Sequence, residues 1–310
     1  MTAALQVDGV SKWFGDTVAL SDVSFSSRPG VTGLLGHNGA GKSTLFDLLA
    51  GFSSPSQGTV RVLGLDPRTE PLVHSRLGLV PDGDGLWPFL TAQQVVSFLA
   101  RNRGVRDYEG AARSALRTVG MEAAADRRVA GYSKGMRQRV RLAQALVHDP
   151  EVLLLDEPLN GLDPAQRRAD VDLVRRLGSQ GRTVLVSSHI LAEVERMADR
   201  VLVVVNGRLV AEGTPTGVQE LLAQSARTVR VETDGARRLG GLLLAEDCVD
   251  GIELGEDGLV VQTSDGAQLA LRLPQLARDA GLQLRRVVPI GEDLESVFTR
   301  LTASARGAGR

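Results

Sequence analysis

Lysine is nearly absent from this chain. Of its 36 basic residues only Lys12, Lys42 and Lys134 are lysines, and the others are arginines. Cysteine is rarer still: with Cys248 alone, no disulfide can staple the fold, and a reducing compartment is the natural setting. A lone thiol of this kind is expected to behave as a small buried hydrophobe. Charge of one sign is missing too. Lys+Arg 36 against Asp+Glu 37 leaves no basic excess, the usual footprint of a nucleic-acid partner, so none is expected. The first residues, Met1 to Trp13, carry no charged segment followed by an apolar core, so no secretory signal is expected. No window reaches the ~18 apolar residues that a membrane span needs. The longest apolar stretches, such as Val201–Val205, are strand-length. A soluble, cytoplasmic chain is expected; if it acts at a membrane, another polypeptide does the spanning.

The rest of the composition is ordinary for a globular protein. It has 310 residues, 43% hydrophobic and 24% charged, enough for one large core or two domains. The arginine skew looks like nucleotide-composition bias. A lysine that persists against it marks a place where a compact charge on a thin stem is needed, which a planar guanidinium cannot imitate in a tight loop.

Residues 1–30 alternate apolar and polar with Gly and Pro punctuation and predict short antiparallel strands. Val31–Leu35 leads into a glycine loop and a helix over Ser43–Ala50, and Thr59–Leu63 and Leu77–Pro81 read as further strands. From Thr91 to about Met121 the period is helical, and Gly135–Val147 is another amphipathic helix. Strand, helix, strand, helix and strand follow over Glu151–Leu155, Pro164–Leu177, Thr183–Ser187, Leu191–Met197 and Arg200–Val205. That alternation predicts an α/β fold around a parallel sheet with covered faces. Glu212 to Pro215 reads as a boundary, giving domains over 1–214 (with a helical part at about 88–145) and 215–310. The second domain reads as βαββαβ, with strands at Arg227–Glu232, Ile252–Leu254, Leu259–Thr263 and Gln283–Pro289. Its helices fall at Arg237–Leu244 and Leu269–Ala280, before a closing helix at Leu294–Leu301. That order suits a small α+β, ferredoxin-like domain.

Two motifs carry chemistry. Gly36-His37-Asn38-Gly39-Ala40-Gly41-Lys42-Ser43 fits G-x-x-x-x-G-K-[ST] between a strand and a helix, the context that gives the pattern its meaning. Such glycines let backbone N–H groups converge on phosphate oxygens at a helix N-terminus. Asn38, Gly39, Ala40, Gly41, Lys42, Ser43 and Thr44 are therefore candidate phosphate-binding residues, with Lys42 reaching the β- and γ-phosphates and Ser43 ligating Mg²⁺. Thr44 has the weaker claim, and His37 reads as a variable loop position. Val152-Leu153-Leu154-Leu155-Asp156-Glu157-Pro158 is a buried strand ending in two acids, placed where ligands meet a parallel sheet. Asp156 suits a Mg²⁺ held through water, and Glu157 a general base on the attacking water.

With these motifs in place, residues 5–213 resemble an ABC ATPase, a P-loop NTPase with an antiparallel β-subdomain and a helical subdomain. Tyr132-Ser133-Lys134-Gly135-Met136-Arg137-Gln138-Arg139 stands where that family has its signature, usually written LSGGQ. Ser133 and Gly135 match it; Tyr132, Lys134 and Met136 depart. The resemblance implies that Ser133 and the backbone of Gly135 face a γ-phosphate at the helix N-terminus. Asn160-Gly161-Leu162-Asp163 resembles the D-loop, and Ser187-Ser188-His189 the H-switch, whose histidine would contact the γ-phosphate. Phe14 matches the aromatic that stacks on adenine, with Trp13 as competitor and one of the two expected to pack inward. The family usually has glutamine at the position of Asp82, where it links metal and attacking water to the membrane partner. Aspartate can still ligate Mg²⁺ but is shorter and charged. Gly83–Leu90, with Trp87 and Phe89, would touch that partner.

The resemblance also implies ATP and Mg²⁺ as ligands. The working unit would be a homodimer or a heterodimer with a close relative, since the phosphate loop and signature that flank one nucleotide come from different subunits. The form YSKGMRQR resembles the branch that serves ABC-2-type exporters, in which a separate multi-span permease is the partner and the ATPase lies peripherally on the inner face of the membrane. The competing readings are an import ATPase with a regulatory tail, an ATPase assisting copper-site assembly, and a soluble ABC ATPase of DNA repair or ribosome function. The third would carry long coiled coils or two cassettes, and this sequence has neither.

Overall fold

The computed structural model describes residues 3–83, 85–218, 227–255 and 258–290. Two compact units divide the chain, Met1–Pro215 and Thr216–Arg310.

In the first unit, strands β1 (Leu5–Phe14), β2 (Thr17–Ser27) and β4 (Gln57–Val62) form an antiparallel sheet in the order β2-β1-β4. The two leading strands are longer than the short pieces expected, at 10 and 11 residues. The second sheet has six strands in the order β5-β6-β7-β3-β8-β9. They are β3 (Gly30–Leu35), β5 (Leu77–Val80), β6 (Val152–Leu155), β7 (Thr183–Ser188), β8 (Arg200–Val205) and β9 (Arg208–Gly213). The first five in that order are parallel, and β9 adds an antiparallel edge. Val152–Leu155 and Val201–Val205 are buried throughout, as continuous apolar runs are in a sheet covered on both faces. One core cluster reaches from Val7, Val23 and Val60 of the antiparallel sheet through Leu45 and Leu49 of α1 (Lys42–Leu49) to Leu34, Leu154 and Leu185 of the parallel one. The phosphate loop and the acid pair therefore stand on one rigid support.

The helical stretch expected from Thr91 to about Met121 is in fact two helices, α3 (Ala92–Asn102) and α4 (Tyr108–Thr118). Local chemistry explains the break. Thr91 and Gln94 form a reciprocal capping box at the start of α3, and Asp107 accepts from the Gly110 N–H to start α4 afresh. The sequence reading also passed over a short helix, α2 (Leu72–Arg76), and over β9. The β8–β9 hairpin turns on Asn206-Gly207, both at positive φ, which is a standard two-residue signal for such a turn. Helices α5 (Lys134–Leu146), α6 (Pro164–Ser179) and α7 (Leu191–Met197) complete the unit close to the expected bounds.

In the second unit, β10 (Arg227–Thr233), α8 (Ala236–Leu243), β11 (Val249–Leu254), β12 (Gly258–Thr263), α9 (Gly266–Asp279) and β13 (Leu284–Ile290) follow in βαββαβ order. The strands form an antiparallel sheet ordered β11-β12-β10-β13. Leu239 and Leu243 of α8 and Leu269, Leu273 and Ala277 of α9 pack with Val231, Leu259 and Val261. Cys248 lies in this core, and burial pushes its thiol up, away from reactivity. The closing helix expected at Leu294–Leu301 lies outside the described residues.

His148 follows α5 and donates from Nε2 to the Leu77 carbonyl at 3.0 Å, while its Nδ1 is buried. Burial holds this imidazole below its usual range, only partly offset by the Leu77 hydrogen bond. A base with a lowered folded-state pKa binds fewer protons folded than unfolded once pH drops below the unfolded value. Stability from this group is therefore intact at neutral pH and declines as pH falls through the unfolded-histidine range. Denaturant melts at pH 7.5 and 5.5 should show a smaller loss on acidification in His148→Gln than in the unaltered chain.

Candidate functional site

The phosphate loop leaves the carboxyl end of β3 and returns into α1. Its entry is tied to β7, since Gly36 donates to the Ser188 carbonyl at 3.3 Å. Ala40 is buried and donates to the His37 carbonyl, closing the loop on itself. Gly41 caps α1 at φ 102, and a side chain there would run into the Ala19 carbonyl and Leu20. Asn38, Gly39 and Ser43 are exposed on the open side, and Thr44 is half-buried. His37 turns its ring onto the Asn38 carbonyl at 2.7 Å, so it shapes the loop.

Lys42 is only 6% exposed, and its ammonium is caged. It donates to the carbonyls of Gly36 and His37 at 2.7 and 3.1 Å and lies 3.1 Å from Glu157 Oε1. The other carboxylate oxygen, Oε2, accepts from His189 Nδ1 at 2.9 Å. Lys42, Glu157 and His189, distant in sequence, thus converge in one cluster.

Glu157 sits at φ 46, a left-handed conformation that costs a non-glycine residue energy unless its surroundings impose it. Ser187 does the imposing. Its hydroxyl oxygen accepts from the Glu157 N–H at 2.7 Å, while its proton goes to Asp156 Oδ1 at 2.6 Å. The register explains this. Leu155 pairs with Val186, so β7 runs on beside Asp156 just where β6 stops. Next along, the Ser188 hydroxyl donates to buried Glu193 at 2.7 Å and accepts from the Ile190 N–H, and Glu193 lies 3.2 Å from Arg167 Nε. The turn that carries His189 is thereby tied to α6. These roles of Ser187, Glu193 and Arg167 were missed from sequence; the serine pair before His189 was the available signal.

Ser133 caps α5, its hydroxyl accepting from the Met136 N–H at 3.3 Å. Tyr132 is buried, its hydroxyl bonded to the carbonyls of Ala124 and Arg127, so this departure from the signature anchors the turn from below. Gly135 is buried against the Gln166 side chain. Trp13 and Phe14 are 41% and 55% exposed, so the expectation that one of them packs inward is corrected. For Phe14 the reason lies at Lys12, whose ammonium sits 4.7 Å from the ring centre while donating to the Ser54 carbonyl. Asp82 is exposed, and its carboxylate accepts from the Gly83 N–H at 2.9 Å. It lines a cavity of about 420 Å³ with Phe52, Trp87, Leu99, Arg103 and His148, and none of the phosphate-loop residues lines that cavity.

The arrangement fits a nucleotide-type site, and comparison with known proteins shows the family. The sequence pattern of the family described as "ABC transporter" matches residues 20–160. The Nod factor export ATP-binding protein I of Rhizobium etli is 35% identical over 304 residues, covering 96% of this chain and 93% of that protein. The chain belongs to the ABC transporter family. It is an ATP-binding subunit, and the family hydrolyses ATP in transport. A solved ATP-binding subunit of an ABC transporter superposes with a TM-score of 0.64 at 30% identity, over 71% of this chain and 93% of that one. CbiO1 of Clostridium perfringens, part of the ABC transporter complex cbiONQ, gives 0.65 at 30% identity over 72% and 94%.

Among the described residues no helix is long and apolar enough to cross a membrane. None of their His, Cys, Asp and Glu side chains form a group of three or more able to hold a metal ion. A cation here would take only part of its shell from the subunit, which suits a Mg²⁺ bound mainly by phosphate and water. The donors fit that case. Ser43 offers an exposed hydroxyl, and negative charge accumulates nearby: Asp47 on α1 has its carboxyl pushed up by burial and then by the Asp156 charge.

Two substitutions test the cluster. Lys42→Ala should abolish tight ATP binding in equilibrium titration, and undiminished affinity would remove the lysine from the phosphate site. Glu157→Gln keeps an acceptor for His189 but loses the charge, and turnover should fall by about a hundredfold or more while ATP still binds.

Proposed function

We propose that this ATP-binding subunit drives export, working as a pair of subunits that close on ATP beneath a separate multi-span permease of the ABC-2 type. The observation that carries the reading is the extent of the likeness to the Nod factor export protein. It covers 96% of this chain, so it reaches beyond the cassette into the second unit. The signature form YSKGMRQR supports the same branch.

In this reading Phe14 stacks on adenine, and the phosphate loop, residues 38–44, cradles the β- and γ-phosphates. For Lys42 to reach them its ion pair with Glu157 must open, so binding exchanges one buried partner of the lysine for another. The freed carboxylate then faces the attacking water, takes its proton as general base, and is oriented by the Ser187 clamp. His189 meets the γ-phosphate from the end of β7. Mg²⁺, held by Ser43 and by Asp156 through water, would neutralise charge on the phosphates; Asp82 is the further candidate contact. Ser133 and the Gly135 backbone act on the nucleotide of the other subunit, from a helix N-terminus that favours anions.

Each chain supplies one phosphate loop and one signature, so two copies, or this chain and a close relative, make two complete sites. ATP holds the pair closed because its terminal phosphate bonds to both, and hydrolysis removes that bridge. The permease would place the pair on the inner face of the membrane. The second unit would add a dimerisation or regulatory surface.

The test is to tag the chain in its native host and extract membranes in mild detergent. A stoichiometric multi-span protein should co-purify, and the Glu157→Gln chain with ATP should run as a dimer on size exclusion. A soluble or ribosome-associated catch would overturn the transport reading.

A further inference from the structure

Lys134 is the one lysine that the site described above leaves without a role, and it occupies an unfavourable place. It is the first residue of α5, where a cation opposes the partial positive charge of the helix N-terminus. In a chain that uses arginine nearly everywhere, helix stability does not explain it.

The contact it makes does. Its side chain crosses to the turn that follows Glu157 and lies flat over Gly161. A Cβ at 161 would stand 3.0 Å from Lys134 Cε and 3.1 Å from Cδ, and nearer still to Nζ. Gly161 is at φ 71, so the position is closed to other side chains by conformation and by the lysine together. The ammonium itself has no hydrogen bond or ion pair among the described residues, so the contact is one of packing, made by the end of the side chain with Cε and Cδ of its stem. From the opposite direction Gln166 lies against Gly135, where a Cβ would meet its amide carbon at 2.7 Å. The two turns interlock, one side chain from each covering a glycine of the other. Further along, Arg139 of α5 pairs with buried Asp170 of α6 at 2.9 Å and clamps the two helices together.

The turn under Lys134 is short and leads straight back to the acid. Asn160 donates to the Glu157 carbonyl at 3.1 Å, Leu162 to the Leu159 carbonyl at 3.3 Å, and Asp163 caps α6. Pressure on Gly161 therefore bears on a segment one turn long whose other end is the strained Glu157 backbone.

We propose that Lys134 is a positioning residue that braces the Gly161 turn through its aliphatic stem, and so sets the geometry of Glu157 and the rate of hydrolysis without setting nucleotide affinity. The proposal rests on Glu157 acting as the general base. A lysine suits the task because its stem is thin enough to lie over backbone, where a guanidinium fork would not.

The test is steady-state ATP hydrolysis by the full chain carrying Lys134→Ala, Lys134→Met, Gly161→Ala and the double change Lys134→Ala with Gly161→Ala, with Glu157→Gln run in parallel. Lys134→Ala should lower kcat on the order of tenfold with KM moving less than about twofold. Lys134→Met, which keeps the stem and drops the charge, should restore kcat to within about twofold of the unaltered chain. Gly161→Ala should slow turnover by forcing the lysine away, and the double change should lose less than the product of the single losses. Unchanged kcat in Lys134→Ala, a Lys134→Met chain as slow as Lys134→Ala, or losses that multiply would each overturn the proposal while leaving Glu157 in its role. A Glu157→Gln chain that turns over at the unaltered rate would instead remove the base, and the proposal with it.

Discussion

A largely buried carboxylate between two nitrogen groups, Glu157 between Lys42 and His189, is the arrangement on which the rest of this cassette depends. Its members come from three separate stretches of chain and meet because β7 lies between β6 and β3 in the sheet. Were the strands ordered as they run in sequence, β5 would stand between β3 and β6, and the end of β7 that carries His189 would have two strands between it and the phosphate loop instead of lying beside it. The crossover order brings the carboxyl ends of β3, β6 and β7 to one crevice, where parallel sheets receive their ligands. A buried ion pair of this kind adds little net stability, because desolvation consumes most of the attraction. In the proposed function its value lies in specificity: the lysine is held and oriented at the spot where a phosphate would compete for it.

Strain is the second theme, and it is distributed. Glu157 is held at positive φ by the Ser187 hydroxyl, which also satisfies Asp156, so one side chain fixes both acids. Ser188 performs a parallel task through Glu193 and Arg167, fastening the turn of His189 to α6. The same helix begins at the turn that Lys134 covers. The signature helix and the turn of His189 are thus both paired to one helix, and groups already oriented lose little to reorganisation when charge develops.

The legible parts of this protein were those whose geometry is local. The phosphate loop, the β6 acids and the Ser-Ser-His end of β7 were readable because a strand end, a glycine turn and a helix start lie within ten or so residues of one another. The five parallel strands were readable because buried parallel strands are continuous apolar runs. What escaped has physical reasons. Strand β9 is half-exposed and carries no such run, so only its Asn206-Gly207 turn could have revealed it. The break between α3 and α4 was hidden because both helices keep the same apolar period, and only the Asp107 cap marks the restart. The placing of Phe14 beside the Lys12 ammonium depends on Lys12 reaching across to Ser54, a partner from another segment. Ser187, Glu193 and Arg167 could be seen as residues but not as a network, since their bonds join elements that only the fold brings together. Asp82 was read by position, and its observed bond is to the next residue in its own turn.

The three lysines can now be compared. Lys42 threads its ammonium into a cage of two carbonyls and a carboxylate; Lys12 places its own over the Phe14 ring with a carbonyl beyond; Lys134 lays its stem over a glycine. Each passes close to backbone, and a planar guanidinium with its five donors would need more room and more acceptors than any of these places offers. The charge is used in the first two and unused in the third, so the common requirement is slenderness. In a chain otherwise drawn to arginine, persistence of lysine therefore marks close approach to backbone, and all three such places fall in segments proposed to meet nucleotide: the aromatic strand, the phosphate loop and the signature.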